Sequence, residues 1–171
     1  TEEERRKLQS AIDSLHEGFA YFDADDKLSN FNVQFQNRQE KTPHLLKIGL
    51  TFEEYVRQRV EIGQLPNTIG REEEFIKERM ARHENPQGSA ISQHSDGTWL
   101  LVNETRTSDG GTVLTTLDIS DLKNAELALR NSQETLLDAA DSFAEGFALY
   151  DENDKLVFFN QQYKDAMDDV S

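Results

Sequence analysis

The chain of 171 residues contains no cysteine. That absence excludes disulfides, Cys-ligated zinc, iron–sulfur clusters and all thiol chemistry. Basic residues are scarce, with 18 Lys and Arg against 33 Asp and Glu, a formal charge of −15. A field of that sign repels nucleic acid and anionic membrane, so neither is an expected partner. No apolar run approaches the ~18 residues of a membrane span, and the opening TEEERRKLQ does not read as a signal peptide. Only 36 % of the residues are hydrophobic, slightly low for one globular unit. Long solvated helices lower that figure as readily as disorder does. Composition alone therefore describes a soluble, acidic, cytoplasmic protein of one ordinary domain plus a remainder.

The chain repeats itself. Residues 8–36 (LQSAIDSLHEGFAYFDADDKLSNFNVQFQ) align without a gap on residues 136–164 (LLDAADSFAEGFALYDENDKLVFFNQQYK), with 15 identities in 29 positions. One complete unit and the opening of a second are expected, the second stopping at Ser171 as at the edge of a fragment.

Within the complete unit, 2–15 reads as a charged helix. Two short strands, 18–23 and 27–32, flank the turn Ala24-Asp25-Asp26. Thr51 with Glu53 and Glu54 starts a helix over 51–63 whose apolar side is Phe52, Tyr55, Val56 and Val60, and Gly63 stops it. A second helix covers 71–84, with Phe75, Ile76 and Met80 on one side. Three strands follow, 88–95, 98–107 and 111–118, joined by Ser95-Asp96-Gly97 and Ser108-Asp109-Gly110-Gly111. The order predicts an α+β unit with a five-stranded antiparallel sheet. In the last two strands both alternations carry apolar residues, so both sheet faces are expected to be covered, one by the central helices and one by a terminal helix or a second subunit.

The Gly-led opening EGFAYFDADDKLSNFN, the Asn that starts a helix, the helices, the three strands and the tail Leu117-Asp118-Ile119-Ser120 together resemble a bacterial PAS sensory domain. The opening and the long helical stretch 52–84 look most like the subgroup common in proteobacterial sensor histidine kinases. The resemblance implies a PAS fold whose sheet cradles a small cavity, with helices on one face and signalling helices at both ends. It also implies homodimerisation through those flanking helices and control of an enzyme elsewhere in a longer chain. That enzyme is most often a histidine kinase; a diguanylate cyclase, phosphodiesterase or nucleotide cyclase is the alternative, as is a ligand-free dimerisation scaffold. On this reading 1–15 is the N-terminal flanking helix, 16–119 the domain, 120–143 a connecting coiled-coil-like helix and 144–171 the truncated start of a second tandem domain.

Catalytic residues are not expected, since no HExxH, Gly-rich phosphate loop or GGDEF-like string occurs. No metal site is expected either. A flavin adduct of the LOV type needs a cysteine and is excluded. Haem needs an axial ligand, and His16, His44, His83 and His94 all read as surface residues. The expected cofactor list is therefore empty, with a possible small-molecule ligand. Asn103 and Thr115 interrupt apolar strands and are the expected polar anchors if the inner face of the sheet forms a cavity. Arg57 and Arg59 sit on the 51–63 helix within reach of an anionic ligand, and Tyr55 and Trp99 complete the candidate set. Asn32 and its twin Asn160 read as helix N-caps. Gly18 and Gly146 read as points where the preceding helix approaches the sheet.

A heptad seam runs through the connecting helix. Ile119, Leu122, Leu129 and Leu136 lie on it, with polar Glu126 and Gln133 between. The repeat offset puts Leu8, Ile12 and Leu15 on the equivalent seam of the N-terminal helix. The apolar residues of the truncated repeat, Phe143, Phe147, Leu149, Phe158 and Phe159, call for cover from another chain or from the first sheet, because two strands alone are marginal in water.

Overall fold

A computed structural model describes residues 1–39 and 43–170, so Ser171 lies outside the described residues. The chain divides into two compact units, Thr1–Asp121 and Leu122–Ser171. The first unit opens with α1 (Glu2–Asp13), which Thr1 and Glu4 close in a capping box. Strands β1 (Gly18–Phe22) and β2 (Leu28–Phe31) follow, then α2 (Val33–Asn37), α3 (Phe52–Glu61) and α4 (Glu72–Glu84). Strands β3 (Ala90–Gln93), β4 (Trp99–Arg106) and β5 (Thr112–Asp118) complete an antiparallel sheet of order β2-β1-β5-β4-β3. Every element foreseen from sequence is present, with ends shifted by one or two residues.

Local chemistry explains the placement. Thr51 accepts from the Glu54 amide while the Glu54 carboxylate reaches back to the Thr51 amide, so α3 begins where two orphan donors are satisfied reciprocally. The β1–β2 turn passes through Asp26 at φ +61°, a conformation short polar side chains tolerate. Asp23 fixes that turn by accepting from the Asp25 and Lys27 amides, each at 3.0 Å.

The core lies on one face of the sheet. Ala20, Phe22, Leu28 and Leu114 meet Phe35 of α2, Phe52, Tyr55, Val56 and Val60 of α3 and Ile76 of α4. Phe22 and Phe52 pack edge to face with centroids 5.1 Å apart, the geometry aromatic quadrupoles favour. The opposite face carries Phe19, Tyr21, Leu101, Val113 and Thr115 half-buried, with Ile91 and Leu117 exposed. Among the described residues, elements of the unit itself cover only the helical face. Gly18 also departs from expectation: a side chain there would meet Thr116, Arg38 and, at 3.2 Å, the Phe35 Cα. The element that approaches is α2, which follows the strand, and not the helix that precedes it.

The second unit contains most of α5 (Ser120–Asp141), then β6 (Ala148–Tyr150), β7 (Leu156–Phe159) and α6 (Gln161–Asp168). The sequence repeat reappears as a repeat of bonds. Asn32 accepts from the Phe19 and Phe35 amides, both at 2.9 Å, and donates to Ile12 O and Glu17 O at 3.0 and 2.9 Å. Asn160 accepts from the Phe147 and Tyr163 amides at 2.6 and 3.1 Å and donates to Ala140 O and Glu145 O at 3.0 and 2.9 Å. Both asparagines are N-caps, as expected. Each also ties its helix to the last turn of the helix before it and to the loop that follows that helix, which capping alone does not require. No described helix is long and apolar enough to cross a membrane.

Candidate functional site

A cavity of about 140 Å³ lies between the inner face of the sheet and the helices. Its floor is apolar, with Val56 and Leu65 on the helical side and Leu100, Val102 and Leu114 from β4 and β5. Around that floor stand Arg38 near the end of α2, Arg59 on α3 and Arg79 and Arg82 on α4. Helical spacing puts them there. Arg59 lies one turn beyond Tyr55 and Val56, and Arg79 one turn beyond Ile76, so both follow the buried face of their helix.

Each arginine meets different company. Arg38 donates to the carbonyl of Thr116 and, at 2.6 Å, to its hydroxyl. Burial lowers its pKa, and Asp118 and Glu17 act against that. Arg59 donates through Nε to Gln64 at 3.0 Å and through Nη2 to His94 Nε2 at 2.6 Å, and its guanidinium lies 5.2 Å from the Tyr55 ring centroid. Because arginine only donates, Nε2 of His94 offers its lone pair and carries no proton. Burial first, and Arg59 second, push His94 down to about 4. Arg82 makes no ion pair or hydrogen bond among the described residues; burial and then Arg79 lower its pKa, and Glu104 and Glu78 act against that.

Arg79 belongs to a buried charged chain. Its Nη2 pairs with Glu104, an inward-pointing acid on β4. Glu104 also faces His83 Nδ1 at 3.4 Å, and His83 Nε2 lies 2.6 Å from Asp26 in the β1–β2 turn. The imidazole stacks on Phe52 with centroids 3.6 Å apart and planes 5° apart. Burial pushes the Glu104 carboxyl up, but His83 and Arg79 outweigh it and hold the group at about 2. These links fasten α4 to the sheet and to the turn, and removing one partner of such a pair costs about 3–5 kcal/mol. Arg79 Nη1 is buried with no hydrogen-bond partner, a state that costs about 1–3 kcal/mol or more for a charged group. No set of three His, Cys, Asp or Glu among the described residues is arranged to hold a metal ion.

The structure brings only part of the expected set together. Tyr55 and Arg59 line the cavity. Asn103 and Thr115 do not: they pair with each other across β4 and β5 on the opposite face of the sheet. Strand parity decides this, since Leu100, Val102 and Glu104 take the inner positions of β4 and Leu114 and Thr116 those of β5. Trp99 has the same outer parity, and its backbone joins Ser120 Oγ at 3.0 Å and the Ile119 amide at 2.9 Å, binding the strand to the exit into α5. Arg57 lies off the cavity, clamped to Glu53 at 2.9 Å and Glu73 at 2.8 Å. Glu73 and Glu53 raise its pKa.

Reading His83 and His94 as surface residues is corrected, because they are 2 % and 4 % exposed. A signal for His83 was present: Ile76, Arg79 and His83 recur at helical spacing, so polar residues occupy the inner stripe of α4. The seam residues are largely unburied, with Leu8 at 59 %, Leu122 at 67 %, Leu129 at 61 % and Leu136 at 67 % exposed. Leu15 is 45 % exposed, and Ile12 and Ile119 are half-buried.

A sequence model of the family described as PAS fold matches residues 12–127. The chain belongs to that family, which makes it a segment of the sensory-signalling class. Among curated proteins it is similar to the Non-motile and phage-resistance protein of Caulobacter vibrioides, 28 % identical over 133 residues. That match covers 78 % of this chain, and the chain spans 14 % of the length of that relative. Among solved structures it is similar to the PAS domain of a protein from Colwellia psychrerythraea, with a TM-score of 0.40 and 16 % identity, covering 68 % of this chain and 98 % of that one.

Proposed function

We propose that the chain is a cytoplasmic sensory and dimerisation segment of a longer signalling protein, with a histidine kinase as its output and no catalysis, flavin or haem of its own. Residues 136–171 are read as the opening of a second tandem PAS domain. A small molecule in the cavity is the input, and the flanking helices are the output. The observation that carries this reading is the seam. Leu122, Leu129 and Leu136 repeat every seven residues on α5, each more than 60 % exposed within one chain. A solvated helix has no use for such a stripe, whereas a parallel pair buries it between two copies. Polar Glu126 and Gln133 on the same stripe weaken it, so two packings lie close enough in energy for a switch.

Sedimentation tests this. The chain is expected to be a dimer at tens of micromolar. Leu129→Asp is expected to weaken it by about tenfold or more, whereas Asn131→Asp, on the far side of the helix, leaves it unchanged. A monomer at that concentration removes the reading.

A further inference from the structure

The cavity is cationic in a chain whose formal charge is −15. Arg38, Arg59, Arg79 and Arg82 line it, and among the described residues no aspartate or glutamate does. Of the four, only Arg79 has a carboxylate partner within ion-pair distance, Glu104. Arg38 is held by Thr116, and Arg59 by Gln64, His94 and the face of Tyr55, all uncharged groups. Glu104 and Glu78 act on Arg82 only from a distance, and it makes no hydrogen bond or ion pair among the described residues. Arg79, only 9 % exposed, keeps an Nη1 that donates to nothing among them. That nitrogen has no acceptor, and the cavity that Arg79 borders has no acidic side chain in its wall among the described residues.

The remaining wall defines the rest of the ligand. Val56, Leu100, Val102 and Leu114 offer carbon surface, which a bare inorganic anion would leave wet. The volume of about 140 Å³ is close to that of a cavity of ~150 Å³ that takes benzene, a six-heavy-atom molecule. A planar guanidinium fork matches a planar carboxylate in two parallel hydrogen bonds.

We infer that this cavity binds a small organic carboxylate of about six heavy atoms, its oxygens on Arg79 and Arg82 and its carbon skeleton on the apolar floor. The inference rests on reading the cavity as the input site of the sensory segment. It adds the chemical class of that input, and gives Arg79 Nη1 and Arg82 a purpose that structural pairing does not.

Calorimetric titration of the chain with butyrate, its uncharged isostere butyramide and inorganic phosphate, at constant ionic strength, tests it. Butyrate is expected to saturate at one per chain, with butyramide and phosphate weaker by about tenfold or more. Arg79→Gln strands Glu104 and is open to misfolding, so Arg82→Gln, at an exposed position, is the informative variant and is expected to weaken butyrate several-fold. Arg57→Gln, whose partners lie outside the cavity, is the control and leaves butyrate binding unchanged. Butyramide binding as tightly as butyrate overturns the carboxylate while leaving a small-molecule input in place. Phosphate binding more tightly than butyrate, an unaffected Arg82→Gln, or no saturable heat at millimolar butyrate also overturns it. Sedimentation of the same samples reads the dimer independently, so failure of the ligand and failure of the sensory reading are told apart.

Discussion

The two copies of the repeat form the same hydrogen bonds and bury different amounts of side chain. Asn32 and Asn160 make matching sets of four bonds, Asp23 and Asp151 fix matching turns, and Asp26 and Asp154 take the same left-handed backbone at φ 61° and 57°. Yet Phe22 is 0 % exposed and its counterpart Tyr150 50 %, and Leu28 is 1 % exposed and its counterpart Leu156 40 %. The difference is the layer above: α3 and α4 close over the first copy, and the second has no counterpart of them among the described residues. Short-range chemistry is thus enough to specify the loop, turn and cap, while burial has to come from elements more than twenty residues away.

The largest expected effect separates the copies by burial. Phe22→Ala removes a ring packed on Phe52 and Tyr55 and is expected to cost about 3–5 kcal/mol in urea denaturation. Tyr150→Ala, at the matching position, is expected to change stability by less than about 0.5 kcal/mol. A cost at Tyr150 approaching that at Phe22 would break the comparison, and would show that the second copy is covered in solution.

The next test addresses what the copies share. Asn32→Ala orphans two amides and two carbonyls at a position 1 % exposed, and about 2–4 kcal/mol is expected from a cap and its buried partners. Asn160→Ala breaks the same bonds at a position 0 % exposed. Amide exchange at Phe147 and Tyr163 should then accelerate sharply, while the unfolding transition of the first unit stays within about 0.5 kcal/mol. Unchanged exchange at those amides would mean that the network is not what holds the second copy.

This division also explains what was legible in the sequence. Thr51 and Glu54, the Asp-rich turns and the gap-free repeat are local signals, and they placed every element of the sheet and its helices. Tyr55 and Arg59 were legible as site residues because they share a helix face, and Arg57, two residues from Tyr55, falls off that face for the same reason. Asn103 and Thr115 were assigned to the wrong side of the sheet because β4 and β5 are apolar on both alternations, so a period of two carries no information about which face is inward. What fixes that face is Glu104 meeting Arg79 and His83, contacts across more than twenty residues that no local pattern contains. Histidines 83 and 94 were misread on the same ground: their burial depends on partners in distant elements.

The smallest expected effect is a histidine-linked pH dependence confined to the first unit, since residues 122–171 contain no histidine. His94 titrates at about 4 in the folded chain because burial, then Arg59, disfavours its charged form, with Arg38 adding to them and Asp96 and Asp118 opposing. In the unfolded chain it returns to about 6.5. The unfolded state therefore binds the proton more readily, so this contribution to stability is complete above pH 6.5 and is lost as pH falls towards 4. Between pH 7 and pH 5 the loss is expected to be about 1–2 kcal/mol. Glu104, held at about 2, acts in a separate and lower window, below about pH 4.5. His94→Gln keeps an acceptor for Arg59 and removes the titration. Urea unfolding of both proteins at the two pH values should therefore show the native chain weakening and the variant holding most of its stability. Equal losses in the two would place the acid-sensitive group elsewhere and remove His94 from the account of how the first unit differs from the second.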